Sequence, residues 1–277
     1  MLSACGAEAA PTATANQSGA AILNANATPT PTSTATLAPT STATPQPSPT
    51  NTTTLTSTET FTTTLPIVVK DPPPTPEPEG ETEIPVYGYN VIAQYPHDPN
   101  AFTQGLILVD GVLYEGTGRR GQSTLRRVDL ETGEVLQGVR LPDQYFGEGI
   151  TLFNNRIYQL TWTSGTGFIL DPQTFELIDT FTYPTQGWGI THDGEQLIMS
   201  DGTPNLYFLD PETLERTRQL PVTANGEPVY QLNELEYIDG LVYANIWQTD
   251  RIVQIDPATG EVVAVIDMTG LLPARSA

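Results

Sequence analysis

The sequence predicts an all-β fold, a five-bladed β-propeller whose last blade is incomplete in this chain, preceded by a disordered Thr/Pro-rich tether. Three observations predict it. One short element is repeated four times, the residues between the repeats alternate strand-like runs with turn residues, and the first 85 residues lack an apolar pattern. A period near 40 residues with several short strands in each copy is typical of β-propellers.

Residues 6–85 are predicted to form a disordered linker. They consist mostly of Thr, Pro, Ala, Ser and Asn, with hardly any aromatic side chains. Such a segment cannot bury enough apolar surface to offset the conformational entropy that ordering would cost. The folded domain is therefore predicted over residues 86–277.

The single cysteine, Cys5, follows "LSA" and precedes Gly6, a context that resembles the bacterial lipoprotein box. Residues 1–5 are too few for a signal peptide, so we interpret them as the remnant of one and expect the export signal upstream. This predicts an extracytoplasmic protein that contacts the membrane only through a lipid on Cys5. The alternative is that Cys5 occurs there by accident.

The repeated element indicates four blades. Its copies are "VDLETGEV", "LDPQTFEL", "LDPETLER" and "IDPATGEV", and their aspartates lie 42, 39 and 46 residues apart, at Asp129, Asp171, Asp210 and Asp256. In each copy the aspartate and the threonine favour a hairpin between the two outer strands of a blade. The four blades are predicted over residues 102–141, 145–183, 187–222 and 231–268.

A further strand-like run, residues 86–95, has no partner of its own in the sequence around it. Propellers commonly close by pairing an N-terminal strand with the last blade. This run therefore predicts a fifth blade, whose three inner strands we expect beyond residue 277.

The start of each innermost strand carries a polar or aromatic residue at an equivalent position. The starts of the inner strands surround one end of the central channel of a propeller, so these four side chains should converge there: Gln104, Glu148, Trp188 and Asn233. Phe102 and Phe146, two residues before Gln104 and Glu148, would add an aromatic wall.

Two further tryptophans are predicted to face the same place. Trp162 lies fourteen residues after Glu148 and Trp247 lies fourteen after Asn233, which assigns both indoles to the same loop of their blades. Taken singly, each of these residues is more often structural, since a glycine-flanked glutamate can reflect close strand approach and tryptophan often packs between blades. Together, one acid, two amides and an aromatic cage predict a binding or catalytic site.

Composition restricts the partners. The formal net charge of −21 argues against nucleic acid, which requires a basic surface. Two histidines and one N-terminal cysteine argue against a zinc site, and no cofactor is expected. We expect a monomer. His97, Glu234 and Glu236 receive no role from the sequence.

The motifs resemble those of the plant-type glutaminyl-peptide cyclotransferases, or glutamine cyclotransferases, which are five-bladed β-propellers. The matching strings occur in order over residues 86–273: "YPHDPNAFTQGL", "LYEGTG", "FGEGI", "QLTW", "GWGIT", "SDG", "LNELEY", "ANIWQTD" and "IDMTGLLP". The resemblance implies metal-independent conversion of the N-terminal glutamine of peptides or proteins into pyroglutamate, with release of ammonia.

The resemblance also implies the site residues. Glu148 would be the general acid and base, and the substrate would be bound by Phe102, Gln104, Phe146, Trp162, Trp188, Asn233 and Trp247. The family has a lysine in its final blade, which we expect beyond residue 277.

Two other functions are compatible with the residues themselves. One is a non-catalytic extracytoplasmic binding module, which an aromatic cage would also suit. The other is a calcium-dependent, lactonase-like propeller hydrolase with the metal held by Glu148, Asn233 and another acid. The tryptophan ring argues against the hydrolase because calcium prefers oxygen ligands.

Overall fold

The computed structural model describes residues 83–272 and one preceding strand, β1 (Thr63–Val69). These residues form strands, turns and loops only, so the predicted all-β class is confirmed. Within them no helix is long and apolar enough to span a membrane. Cys5 and the predicted linker, apart from β1 and residues 83–85, lie outside the described residues.

Two strands, β2 (Val86–Tyr87) and β3 (Asn90–His97), precede in the chain four sets of four antiparallel strands that correspond to the four repeats. Blade 1 contains β4 (Thr103–Val109), β5 (Val112–Thr117), β6 (Thr124–Val128) and β7 (Val135–Arg140). Blade 2 contains β8 (Gly147–Phe153), β9 (Arg156–Thr161), β10 (Thr166–Leu170) and β11 (Leu177–Thr182).

Blade 3 contains β12 (Ile190–His192), β13 (Leu197–Met199), β14 (Asn205–Leu209) and β15 (Arg216–Pro221). A small hairpin, β16 (Thr223–Ala224) and β17 (Glu227–Pro228), follows it. Blade 4 contains β18 (Leu232–Ile238), β19 (Leu241–Ile246), β20 (Arg251–Ile255) and β21 (Val262–Asp267). Every blade lies within its predicted bounds.

The core lies between neighbouring blades. Ile107 and Tyr114 of blade 1 share a buried cluster with Ile150 and Ile157 of blade 2. Equivalent clusters join blade 2 to blade 3 and blade 3 to blade 4. The first strand of a blade is therefore mostly buried, as in the run "GEGITLF" of β8, whereas the last strand is largely exposed in blades 1, 2 and 3.

The hairpin turns between the two outer strands are built alike in the four blades. In each, a carboxylate oxygen of the aspartate accepts a backbone N–H from the residues two or three positions later. A residue with positive φ closes the turn, glycine in two blades but Phe175 and Leu214, both at 59°, in the others. A bulky residue at positive φ is strained, and in blade 2 burial of the Phe175 ring against Tyr114 offsets that strain.

The segment before blade 1 differs from the prediction. The structure divides residues 86–95 between two strands with partners: β2 pairs in parallel with β21, as a fifth strand of blade 4, and β3 pairs with β1. The linker predicted over 6–85 therefore contains a strand, because the β-branched residues of "TTLPIVV" favour extended backbone. The described residues form four blades and not the predicted five.

Candidate active site

The inner strands of three blades contain a bulge at the end where the predicted site residues lie. The register shifts between Thr103 and Gly105, between Gly147 and Ile150, and between Leu232 and Leu235. A bulge releases a residue from the ladder and redirects its side chain, and bulges are frequent next to active sites. The released positions include three of the predicted site residues, all buried with exposed fractions of 1–2%: Gln104, Glu148 and Asn233.

The glycines beside Glu148 allow the blades to approach each other. A Cβ on Gly149 would lie 2.6 Å from the carbonyl oxygen of Trp188, and a Cβ on Gly147 would lie 2.8 Å from that of Thr117. Gly105 has the equivalent place after Gln104, where a Cβ would meet the backbone of blade 2. The glycines beside Glu148 thus have a structural role, because a side chain at either position would meet backbone atoms of a neighbouring blade.

Aromatic rings extend around this mouth from blade 1 to blade 4. The ring centroids of Phe102 and Phe146 are 6.1 Å apart at 88°, and those of Phe146 and Trp162 are 5.6 Å apart at 61°. On the other side, the rings of Trp188 and Trp247 are 5.5 Å apart at 78°. These edge-to-face contacts form two aromatic groups, which we call together the aromatic wall.

Gln186 joins the two halves of the wall. Its side-chain oxygen Oε1 accepts hydrogen bonds from Nε1 of Trp162 at 2.7 Å and from Nε1 of Trp188 at 2.9 Å. Two indole N–H groups therefore converge on one point, which a carboxamide oxygen occupies. Sequence reasoning missed this exposed residue, and its place two positions before Trp188 in "TQGWGI" was the available signal.

The position fourteen residues after each inner-strand site residue alternates between glycine and tryptophan: Gly118, Trp162, Gly202 and Trp247. The glycines leave room for rings of the wall. A Cβ on Gly118 would lie 2.7 Å from Cζ of Phe146, and a Cβ on Gly202 would lie 2.7 Å from the ring of Trp188. The spacing that identified two tryptophans thus applies to all four blades.

Glu148 lacks a charge partner in this environment. Its exposed fraction is 2%, and among the described residues its Oε2 has no hydrogen-bond partner. Burial raises the pKa of Glu148 well above its ordinary value, because the ionised form is desolvated. Burial likewise raises the pKa of Tyr183 to about 12, with a contribution from the nearby charge of Glu148.

Glu234 is a second buried acid, with an exposed fraction of 4%. Burial and then the charge of Glu236 raise its pKa, while the backbone N–H of Leu106 donates to its carboxyl group. In blades 1 to 3 the site residue is followed by a glycine, whereas in blade 4 Asn233 is followed by Glu234. The side chain of Glu234 reaches Leu106 in the inner strand of blade 1. Burial raises the pKa of Glu236 to about 7.

His97 lies in a polar cluster next to blade 1. Its Nε2 is 2.7 Å from Oε1 of Glu115, and the hydroxyl of Thr103 donates to the same oxygen at 2.5 Å. Arg126 donates to Asp98 at 2.9 Å. The contacts of His97 and Asp98 fasten the segment that precedes β4, and with it Phe102, to blade 1. Within the described residues, no group of three or more His, Cys, Asp and Glu side chains could hold a metal ion.

The family described as Glutamine cyclotransferase matches residues 64–277. The chain belongs to the glutamine cyclotransferase family. A glutaminyl-peptide cyclotransferase of Arabidopsis thaliana is 43% identical to it over 183 residues, which are 65% of this chain and 57% of the plant protein. This glutamine cyclotransferase family member thus spans a little over half the length of that relative, and the family predicted from the sequence motifs is confirmed.

One solved structure agrees with the glutamine cyclotransferase assignment, and a second shares the fold. The crystal structure of Myxococcus xanthus glutaminyl cyclase matches with a TM-score of 0.65 at 37% identity, over 70% of this chain and 86% of that one. A protein of unknown function from Bacteroides caccae matches at 16% identity with a TM-score of 0.50, over 66% of this chain and 78% of its own. The second likeness concerns the fold alone.

Proposed function

We propose that the chain is a glutaminyl-peptide cyclotransferase, which converts the N-terminal glutamine of a peptide or protein into pyroglutamate and releases ammonia without a metal or cofactor. One observation carries the proposal: a buried glutamate with an unpaired oxygen, Glu148, lies at the mouth of the propeller beside a wall of aromatic rings and indole N–H groups. Membership of the glutamine cyclotransferase family supports the same reaction.

The aromatic wall would bind the aliphatic part of the substrate glutamine. Ring closure requires the α-amine and the side-chain amide of one residue to meet, so the enzyme must hold that side chain in a folded conformation. Restricting the side chain in this way supplies much of the rate enhancement of an intramolecular reaction. Phe102, Phe146, Trp162, Trp188 and Trp247 provide the apolar surface for it.

Glu148 would transfer the proton. The neutral α-amine attacks the Cδ carbon, a new C–N bond forms, and the Glu148 carboxylate accepts the proton that the attacking nitrogen must lose. The resulting carboxylic acid donates this proton to the amide nitrogen, the old C–N bond breaks, and ammonia leaves as the carbonyl re-forms. A raised pKa suits a group that must accept and donate within one cycle near neutral pH.

The oxyanion that forms on the amide oxygen needs donors. The indole N–H groups of Trp162 and Trp188 converge on the Gln186 carboxamide oxygen, and the substrate presents the same functional group. We propose that the substrate oxygen replaces that of Gln186, with the amides of Gln104 and Asn233 as further donors. Nδ2 of Asn233 is buried without a partner among the described residues.

We further propose that the architecture includes a fifth blade. The sheet β1–β3 is separate from the four blades and lies against blade 1, where Gly133 leaves room for the backbone of Pro96. From the "LSAC" context we also propose an extracytoplasmic protein that is anchored by a lipid on Cys5. We propose that this protein is a monomer.

To test this proposal, the purified full chain is incubated with a peptide that begins with glutamine. The release of ammonia is measured, and the formation of pyroglutamate is followed by mass spectrometry. Glu148→Gln should be about 10²–10⁴-fold less active, whereas Glu212→Gln, which changes an exposed glutamate in a hairpin turn, should retain activity. Peptide binding without turnover would instead indicate a binding module. Loss of activity with a chelator and recovery with calcium would indicate the hydrolase.

A further inference from the structure

Two adjacent arginines, Arg119 and Arg120, lie on the loop between β5 and β6, at the rim of the proposed active site. The guanidinium carbon of Arg119 is 4.5 Å from the ring centroid of Phe102. Nη2 of Arg120 donates to Oγ1 of Thr163 at 2.9 Å, next to Trp162 in the chain. Both side chains are exposed, so two guanidinium groups border the aromatic wall where blades 1 and 2 meet.

The loop that carries them is tightly held. Arg119 has a φ of 81°, and its carbonyl oxygen accepts from the N–H of Gln122 at 2.9 Å and from the hydroxyl of Ser123 at 2.8 Å. Oγ of Ser123 in turn accepts the N–H of Gly147, the residue before Glu148. A non-glycine residue keeps such a φ only where the surrounding contacts fix it. The positions of the arginines are thus linked to the strand that carries Glu148.

The charges of these two arginines are not neutralised within the described residues. Among the described arginines only Arg126 and Arg140 form ion pairs with carboxylates. Arg119 and Arg120 share the lack of an ion pair with other arginines and differ from them in their place beside Phe102 and Thr163. Two adjacent cations at the mouth of a protein with 32 acidic and 11 basic residues create a local attraction for carboxylates.

We propose that Arg119 and Arg120 form a subsite for a carboxylate in the substrate peptide, in the first residues after the N-terminal glutamine. The inference rests on the proposed function and specifies its substrate class. With the glutamine side chain against the aromatic wall, the remaining peptide must leave across the rim. An acidic side chain or a nearby C-terminal carboxylate can accept paired hydrogen bonds from a guanidinium group there.

The experiment compares kcat/KM of the full chain for four short peptides at low ionic strength: Gln-Ala-Ala amide, Gln-Glu-Ala amide, Gln-Lys-Ala amide and Gln-Ala-Ala with a free C-terminus. The glutamate peptide should exceed the lysine peptide about tenfold, and the ratio should shrink in about 0.5 M salt, which screens exposed charges more strongly. The free-acid peptide distinguishes a C-terminal carboxylate from a side-chain carboxylate.

Variants assign the preference to the rim. Arg120→Gln should reduce it, the double variant Arg119→Gln/Arg120→Gln should abolish it, and Arg120→Glu should favour the lysine peptide. Arg216→Gln is the matched control because it removes one exposed arginine next to Tyr207 of blade 3, and it should leave the preference unchanged. Thermal unfolding of each variant shows whether it is folded, and Arg120→Gln alone leaves the strained residue in place.

Failure of the inference and failure of the proposed function give different results. Turnover of all four peptides at equal kcat/KM overturns the arginine subsite and leaves the cyclotransferase intact. If no peptide is converted, the proposed function fails, and the arginine subsite is then tested by the dissociation constants of the four peptides, measured by tryptophan fluorescence. Tighter binding of the glutamate peptide than of the lysine peptide supports the subsite, and equal dissociation constants overturn it.

Discussion

Replacing Glu148 by glutamine removes a buried ionisable group while its shape is kept. In the unfolded chain the carboxyl group ionises near 4.5, whereas burial raises its pKa in the folded chain. At a pH between 4.5 and the raised pKa of the folded state, Glu148 is ionised in the unfolded state and protonated in the folded state. The free energy of unfolding therefore falls as the pH rises through this window, by about 1.4 kcal/mol per pH unit.

In Glu148→Gln the free energy of unfolding does not fall in this window, because glutamine does not ionise. For a folded region of this size, 1 kcal/mol corresponds to about 2–4 °C in Tm, so the variant should gain about 3–6 °C over the parent for each pH unit of the window. Below pH 4 the two proteins should differ only by a constant. From pH 4 to pH 8 the difference in Tm should move in favour of the variant. If Glu148 transfers the proton, the variant should be about 10²–10⁴-fold less active at pH 8.

The assay is a series of thermal melts of parent and variant from pH 4 to pH 8, with cyclisation rates at the same pH values. Glu212→Gln, on the surface, should show a Tm difference that does not change with pH. A pH-independent difference for Glu148→Gln would refute the raised pKa. Full activity of that variant would remove Glu148 from the proton transfer.

Three further outcomes are expected. Gln186→Ala removes the oxygen that competes for two indole N–H groups. At about 1 kcal/mol for each of the two hydrogen bonds, the loss of this competitor should lower KM for glutamine peptides about thirtyfold. A rise in KM, or an equal change in Gln196→Ala, would contradict the competition. Gly118→Ala places a methyl group against Phe146, so it should lower the free energy of unfolding, measured in urea, by about 1–3 kcal/mol and also reduce kcat/KM. Gly88→Ala, which has open space around it, should change neither quantity. Asp171→Ala removes a carboxylate whose pKa is lowered by the N–H groups of its turn, so the variant should have a lower Tm than the parent at pH 7. This difference in Tm should narrow as the pH falls through 3.8 and below, because the carboxylate of the parent becomes protonated. A difference in Tm that does not change with pH would contradict this.

Much of the fold could be predicted because the repeats mark it directly. The aspartate of each hairpin gives the blade period, and the spacing of fourteen residues relates Trp162 to Trp247 by counting along the chain. Both signals depend on residues that are close in sequence or equivalent between copies. The positions of the inner-strand site residues followed from the same equivalence.

The features that the sequence did not reveal depend on contacts between distant segments. The pairing of β1 with β3 joins a strand within Thr/Pro-rich sequence to a run more than twenty residues later. The bond from the Leu106 N–H to Glu234 joins the first blade to the fourth. Gln186 is an exposed loop residue whose role is visible only once the Trp162 and Trp188 rings are placed. No local periodicity records such contacts.

The bulges at Gln104, Glu148 and Asn233 have a consequence for how the protein can change. Because the bulged positions are released from the ladder, strand pairing places little restriction on which side chain occupies them. The glycines and the buried clusters stabilise the ring independently of these positions. A propeller built in this way can change one site residue in each of these three blades while the residues that determine its fold stay the same.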